Sequence, residues 1–205
     1  HDGMRHYSTC MMSDQLVETT VHGLGVSRRM VLTAGREHVM DAEHVESTGD
    51  GHDMGALDMD AEGVCKPTWV LLSPDDSRIY VPCNGRGDVL EIDAESLEVL
   101  RRFPTGRGPY NADITPDGSK LVVTLKGDQA VAIIDLSTGE ETRVETSRPI
   151  THGVAITPDG RYAFVSNEAV GATRGTVDVV DLNAGAIVAS TELHYQPGGL
   201  AVWKM

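Results

Sequence analysis

Pro67-Thr-Trp-Val-Leu-Leu-Ser-Pro-Asp-Asp76 is an apolar run that stops at a turn, and the reading of the chain starts from it. A second run, Arg78-Ile-Tyr-Val-Pro-Cys83, is followed by the polar turn Asn84-Gly-Arg-Gly-Asp88 and a third run, Val89-Leu-Glu-Ile-Asp93. Ala94-Glu-Ser-Leu97 then leads into Glu98-Val-Leu-Arg-Arg-Phe103. Four short β-favouring runs joined by Pro, Gly, Asn, Asp and Ser predict one up-and-down antiparallel sheet over 67–108.

The pattern repeats. Ser73-Pro-Asp-Asp76 returns as Thr115-Pro-Asp-Gly118 and as Thr157-Pro-Asp-Gly160, each 42 residues on. Asp93 returns as Asp135 after 42 residues and as Asp181 after 46, the turn Asn167–Thr176 being four residues longer. Four-stranded units at a period near 40 mark the blades of a β-propeller. The expected fold class is therefore all-β, with about four antiparallel blades.

The ends fit the same scheme. Shifted by 73 residues, the start of the chain matches the opening blade: Tyr7 falls on Tyr80, Cys10 on Cys83, Glu18 on Glu91 and Arg28-Arg29 on Arg101-Arg102. Pro197–Trp203 aligns with Pro109–Thr115 and reads as a first strand. The expected blades are 1–33 plus 197–205, 67–108, 109–148 and 149–196. Strand 197–203 would complete the N-terminal blade by pairing with Arg5–Cys10, within the chain or across two chains, and so protect strand edges.

Ile79-Tyr-Val-Pro-Cys-Asn84, Tyr162-Ala-Phe-Val-Ser-Asn167, the Pro-Asp turns and Ile134-Asp-Leu-Ser-Thr-Gly139 resemble the YVTN-type propeller repeats of bacterial and archaeal surface and periplasmic proteins. The resemblance spans about 170 residues, all but 34–66, and implies a periplasmic or extracellular location. It specifies fold far better than function. Members of that family usually carry about seven blades. The ring is therefore expected either to close on four blades or to be incomplete, with a second copy or a longer parent chain supplying the rest.

Composition narrows the partners. The 205 residues are 40% apolar, enough to bury a core, but only 4% aromatic, so aliphatic residues must fill the blade interfaces. A net charge of −14 argues against nucleic acid, which needs a basic face. No apolar run approaches a membrane span.

Residues 34–66 break the period with an extra 31 or so residues. They carry −7 of the −14, on Glu37, Asp41, Glu43, Glu46, Asp50, Asp53, Asp58, Asp60 and Glu62 against Arg36 and Lys66. Strand alternation is absent there and weak helical spacing appears around Glu37–Val45, so a long loop with few regular elements is expected. His38, His44 and His52 with Met40, Met54, Met59 and Cys65 give the tract soft and borderline ligands of the kind copper or another transition metal takes. Cys10 and Met11 lie on the same face. No tight metal-binding spacing is present, and a solvated acidic loop is the plain alternative. For Cys65, a disulfide to Cys10 and a thiolate ligand both stand open.

Propeller topology gathers the turns between second and third strands on one face with the links between blades. Tyr110, His152, Asn84, Arg86, Asn167, Glu168 and His194 are the ligand-binding candidates of that face, around the channel mouth. No nucleophile elbow, phosphate loop, dinucleotide fingerprint or haem attachment motif appears. The leading expectation is an extracytoplasmic binding or scaffold propeller, with a protein or a second copy as partner. The alternatives are a copper-dependent redox protein or subunit, and a metal-capture protein.

Overall fold

The computed structural model describes residues 3–23, 25–41 and 58–203. They form four antiparallel sheets in chain order. The first holds β1 (Arg5–Cys10), β2 (Gln15–Thr20), β3 (Gly25–Val31) and β4 (His38–Asp41); the second holds β5 (Leu71–Leu72), β6 (Arg78–Cys83), β7 (Asp88–Asp93) and β8 (Val99–Pro104). The third holds β9 (Pro109–Ile114), β10 (Lys120–Leu125), β11 (Ala130–Asp135) and β12 (Glu141–Glu145). The fourth holds β13 (Thr151–Ile156), β14 (Tyr162–Asn167), β15 (Thr176–Asp181) and β16 (Ala186–Glu192). Each strand pairs with its sequence neighbour, so the blades expected over 67–196 are present.

The two repeat markers are turns closed by aspartate. Asp75, Asp117 and Asp159 each accept, through Oδ1, from the hydroxyl two residues before and the backbone N–H two residues after. Asp93, Asp135 and Asp181 each accept from the N–H groups two and three residues on. These Asx turns satisfy backbone donors and set the hairpin register. The next turn position requires a left-handed backbone: Gly118 and Gly160 have φ near +70°, and Asp76 takes +61°.

The central strands are apolar on both faces because each sheet is covered twice. Leu16, Met30 and Leu32 pack on Ile79, Val81, Leu90 and Ile92 between the first and second sheets. Tyr80, Val89 and Phe103 pack on Leu121, Val123 and Leu125 between the second and third. Val122, Val131 and Ile133 pack on Val154, Ile156, Val165 and Val180 between the third and fourth. Among the described residues no such core joins the fourth sheet to the first.

Three expectations change. Within the chain Pro197–Trp203 does not pair with β1; these residues form no strand there and lie beside β13. The fourth strand of the first sheet is instead β4, from within 34–66, where extended His38–Asp41 replaces the weak helical spacing. Its cause is the turn closed by Arg36 N–H on the Thr33 carbonyl, which folds 38–41 back onto the free edge of β3. Finally, Cys65 is bridged to Cys83, with Cα atoms 4.3 Å apart, and Cys10 is free. Backbone bonds from Asn84 to Lys66 and from Gly85 to Cys65 bring those two cysteines side by side.

Candidate functional site

The site grows out of the repeat. Tyr110 and His152 are the second residues of β9 and β13 and occupy one repeat position, so they meet across adjacent inner strands. Their ring centroids are 4.6 Å apart at 48°. Lys126 and Glu168 also share a repeat position, just beyond β10 and β14. Their backbones are fixed alike, Lys126 N–H on the Gly108 carbonyl at 2.8 Å and Glu168 N–H on the Ile150 carbonyl at 3.0 Å.

Opposite charges at equivalent positions draw the four side chains together. The Lys126 ammonium lies 4.4 Å from the Tyr110 ring centroid and 3.5 Å from Glu168 Oε1. His152 Nε2 lies 3.1 Å from the same oxygen. A half-buried cation over an aromatic face is worth about 1 kcal/mol, and the shared carboxylate fixes where the cation sits. Underneath, Thr68 Oγ1 donates to the Tyr110 carbonyl at 2.7 Å and Thr124 Oγ1 to the His152 carbonyl at 2.8 Å. Asn84 Nδ2 donates to the Pro109 carbonyl at 3.3 Å, so Asn84 braces the strand that carries Tyr110.

Burial pushes the His152 imidazole below its ordinary value. Glu168 opposes that shift, Lys126 adds to it, and the Gly198 backbone opposes it weakly. The neutral ring donates from Nε2 to Glu168, while Nδ1 is buried without a well-placed partner. Nε2 is thus engaged by Glu168, and Nδ1 is withdrawn from solvent. The arrangement presents an aromatic face, a cation and a carboxylate side by side.

The remaining candidates go elsewhere. Arg86 is spent on Asp88 and on the Leu32 and Gly63 carbonyls, locking the first sheet to the second. Asn167 is fully buried, its amide donating to Thr176 and Asp178. His194 is exposed and its ring pairs with Tyr195. His38 is exposed on β4 with Nδ1 on the Arg36 carbonyl, and Met11 is exposed after β1. Cys65 is withdrawn as a metal ligand by its bridge. His44 and His52 lie outside the described residues. Among the described residues no three His, Cys, Asp or Glu side chains converge as a metal site.

Sequence reasoning gave Lys126 no role; its signal was the shared repeat position with Glu168. It missed Asp14 altogether. Asp14 is fully buried and accepts from Thr33 Oγ1 at 2.7 Å, Cys65 N–H at 3.1 Å and Lys66 N–H at 2.8 Å. Its signal was an aspartate where the next repeat has Gly87, both residues being left-handed.

No protein-family model and no curated protein matches the chain. Solved structures do match it. Hydrazine synthase of Kuenenia stuttgartiensis superimposes with a TM-score of 0.62 at 22% identity, over 95% of this chain and 51% of that one. Dihydro-heme d1 dehydrogenase NirN, solved in complex with DHE, gives 0.62 at 17% identity, over 96% of this chain and 36% of that one. The β-propeller domain of Myceliophteria thermophila Cps50 (Swd1) gives 0.62 at 13%, over 96% and 58%. At such identities the likeness concerns the fold alone. The chain is an arc of β-propeller blades. It spans between about a third and three-fifths of the length of these structures. Among the described residues no helix is long and apolar enough to cross a membrane.

Proposed function

We propose that this chain is a non-catalytic propeller scaffold of the YVTN-repeat type that engages a protein partner through the face carrying Tyr110, Lys126, His152 and Glu168. The observation that carries this reading is the convergence of those four side chains at the entry of two adjacent inner strands. An aromatic platform, a cation and a carboxylate within about 5 Å of one another suit the polar and aromatic groups of a protein loop. The engagement of His152 Nε2 by Glu168 and the burial of Nδ1 favour holding over turnover. The Cys65–Cys83 bridge supports a periplasmic or extracellular location, because reducing compartments seldom keep structural disulfides.

The copper-dependent redox and metal-capture readings retain His38, Cys10 and Met11 but lose Cys65. Nothing in the geometry raises either above the scaffold reading.

The test compares proteins retained by the native chain with those retained by Tyr110→Ala and Lys126→Ala, with Asp117→Ala on the opposite face as control. A partner lost by the first two and kept by the control, at unchanged melting temperature, supports the reading. Equal retention by all four proteins overturns it. So would a stoichiometric transition metal in the isolated protein together with redox activity.

A further inference from the structure

We infer that the inner wall around β9 and β13 binds a small organic ammonium ion with an apolar or aromatic body. Every group the inference uses lies between residues 69 and 156, and it does not rest on the reading of the Tyr110 face.

A cavity of about 500 Å3 runs along the inner strands and is bordered by Trp69, Leu71, Asn111, Asp113, Val154 and Ile156. That is the size of a small-molecule pocket. Strand alternation shapes the wall. On β9, Ala112 and Ile114 turn into the core shared with the second sheet, which leaves Asn111 and Asp113 on the other face, toward β13. Asp113 Oδ2 accepts from the Ile156 N–H at 2.8 Å, across that gap, and Oδ1 accepts from the Ile114 N–H at 2.9 Å.

Both residues depart from the repeat. The positions equivalent to Asp113 hold Leu71 and Ala155, and those equivalent to Asn111 hold Trp69 and Gly153, so the blade itself requires neither a carboxylate nor an amide here. A neutral oxygen would serve the Ile114 and Ile156 N–H groups as well, and the charge of Asp113 exceeds that need. The charge is also uncompensated: among the described residues Asp113 makes no ion pair, and no Lys, Arg or His borders the cavity. Burial pushes its carboxyl above the ordinary value, and the two backbone N–H groups pull against that shift.

Asn111 adds a second unmet group. Its backbone N–H and carbonyl are both taken by Thr124 Oγ1, at 2.9 and 3.2 Å, but its side-chain amide makes no hydrogen bond among the described residues. The residue is only 7% exposed, and an amide so deeply placed is costly to leave unpaired. Trp69, 45% exposed, borders the same cavity with the ring type that attracts cations most strongly. An ammonium group answers all three features. Its donors suit the Asp113 carboxylate and the Asn111 amide oxygen, its charge is attracted more strongly here than in water, and its body covers Trp69 and Val154.

Titration calorimetry of 2-phenylethylammonium chloride against the full 205-residue chain should show one saturable site. 2-Phenylethanol, of similar shape without the charge, should bind about tenfold more weakly. Asp113→Asn should weaken the ammonium probe by about tenfold and Asn111→Ala by about threefold. Glu145→Gln, which removes a charge from an exposed position on β12, should leave its affinity unchanged. If Asp113→Asn does not fold, Asn111→Ala decides, because its amide holds no other part of the chain. No saturable binding, an equal loss in Glu145→Gln, unchanged binding in Asn111→Ala, or equal binding of the alcohol overturns the inference. Nα-Acetyl-lysine methylamide, titrated in parallel, should bind more weakly than the aromatic amine. Binding at least as tight would assign the wall to a lysine side chain of a partner and overturn the free-amine assignment.

Discussion

The joint between the first and second sheets and the joint between the second and third derive from one repeat, yet they are held differently. At the second joint, Leu121, Val123 and Leu125 meet Tyr80, Val89 and Phe103 in a continuous apolar layer. At the first, the apolar core is flanked by a buried carboxylate, Asp14, by the Arg86 brace and by the Cys65–Cys83 bridge; a buried glutamate cluster is common to both joints, Glu18 at the first and Glu91 with Tyr80 and Arg101 at the second. The first joint is the one interrupted by residues 34–66. Where the link between blades is short, apolar packing and side-chain hydrogen bonds to the next strand, such as those of Thr68 and Asn84, set the geometry. Where it is long, polar and covalent ties fix the point at which the chain returns.

The largest effect should come from the plain joint. Leu121 is fully buried. Leu121→Ala should cost about 3 to 4 kcal/mol through lost transfer energy and the cavity left behind. The loss should be insensitive to reductant. Equal sensitivity of Leu121→Ala and native protein to urea would erase the distinction between the joints.

Next comes the bridge. It closes a loop of 18 residues in sequence separation, so Cys65→Ser with Cys83→Ser should lower stability by about 3 kcal/mol on the chain-entropy view. Reductant should destabilise the native protein to a similar extent and leave the double variant unmoved. If reductant shifts the unfolding midpoint of both equally, the bridge is not what anchors the returning chain.

These two joints also show how far the sequence could be read. The Pro-Asp-Gly turns and the recurring Asp93, Asp135 and Asp181 announced the blades because each aspartate satisfies the same backbone donors wherever it recurs. Tyr110 and His152 could be grouped from the sequence because they share a repeat position, and the structure brings their rings together with Glu168. Cys65–Cys83 was not legible, since a bridge depends on two backbone bonds that bring residue 65 beside residue 83, and no periodicity encodes them. Strand β4 was hidden too. His38-Val-Met-Asp41 is four residues long, and its pairing is set by an available edge rather than by its own pattern. Arg86 and Asn167 looked like surface groups because they sit in turns. Both are consumed internally, one by carbonyls of the first joint and the other by Asp178.

The third prediction probes the first joint by pH. Burial alone would raise the Glu18 carboxyl, but hydrogen bonds from Arg28, Ser27 and Tyr7 outweigh it and bring it down to about 2. The folded value lies below the unfolded one near 4.5, so the unfolded chain binds more protons between them. The stabilisation from Glu18 is therefore complete above about pH 4.5 and disappears as the pH falls toward 2. Glu18→Gln should cost about 1 to 2 kcal/mol at neutral pH and shallow the acid limb of the stability profile. An acid limb as steep as that of the native protein would assign it to other carboxylates.

The smallest effect concerns β4. Arg102 of β8 reaches across to Glu37, immediately before β4, and spans a cleft of about 850 Å3 lined by Met30, Val39 and Leu100. The pair is partly exposed, with Arg102 at 35% and Glu37 at 20% accessibility, so solvent and salt screen it. β4 is also paired to β3 along its whole length, from Val31 opposite His38 to Arg28 opposite Asp41. Backbone pairing should therefore hold the strand whether or not the ion pair forms. Arg102→Ala is expected to change stability by no more than about 0.5 kcal/mol, and that small change should fade in high salt. Amide hydrogen exchange at the β4 positions that donate to β3 should stay slow in the variant. If those amides lose protection when Arg102 is removed, the ion pair rather than the β3 edge positions the returning chain, and the first joint begins at Glu37 instead of at Asp14.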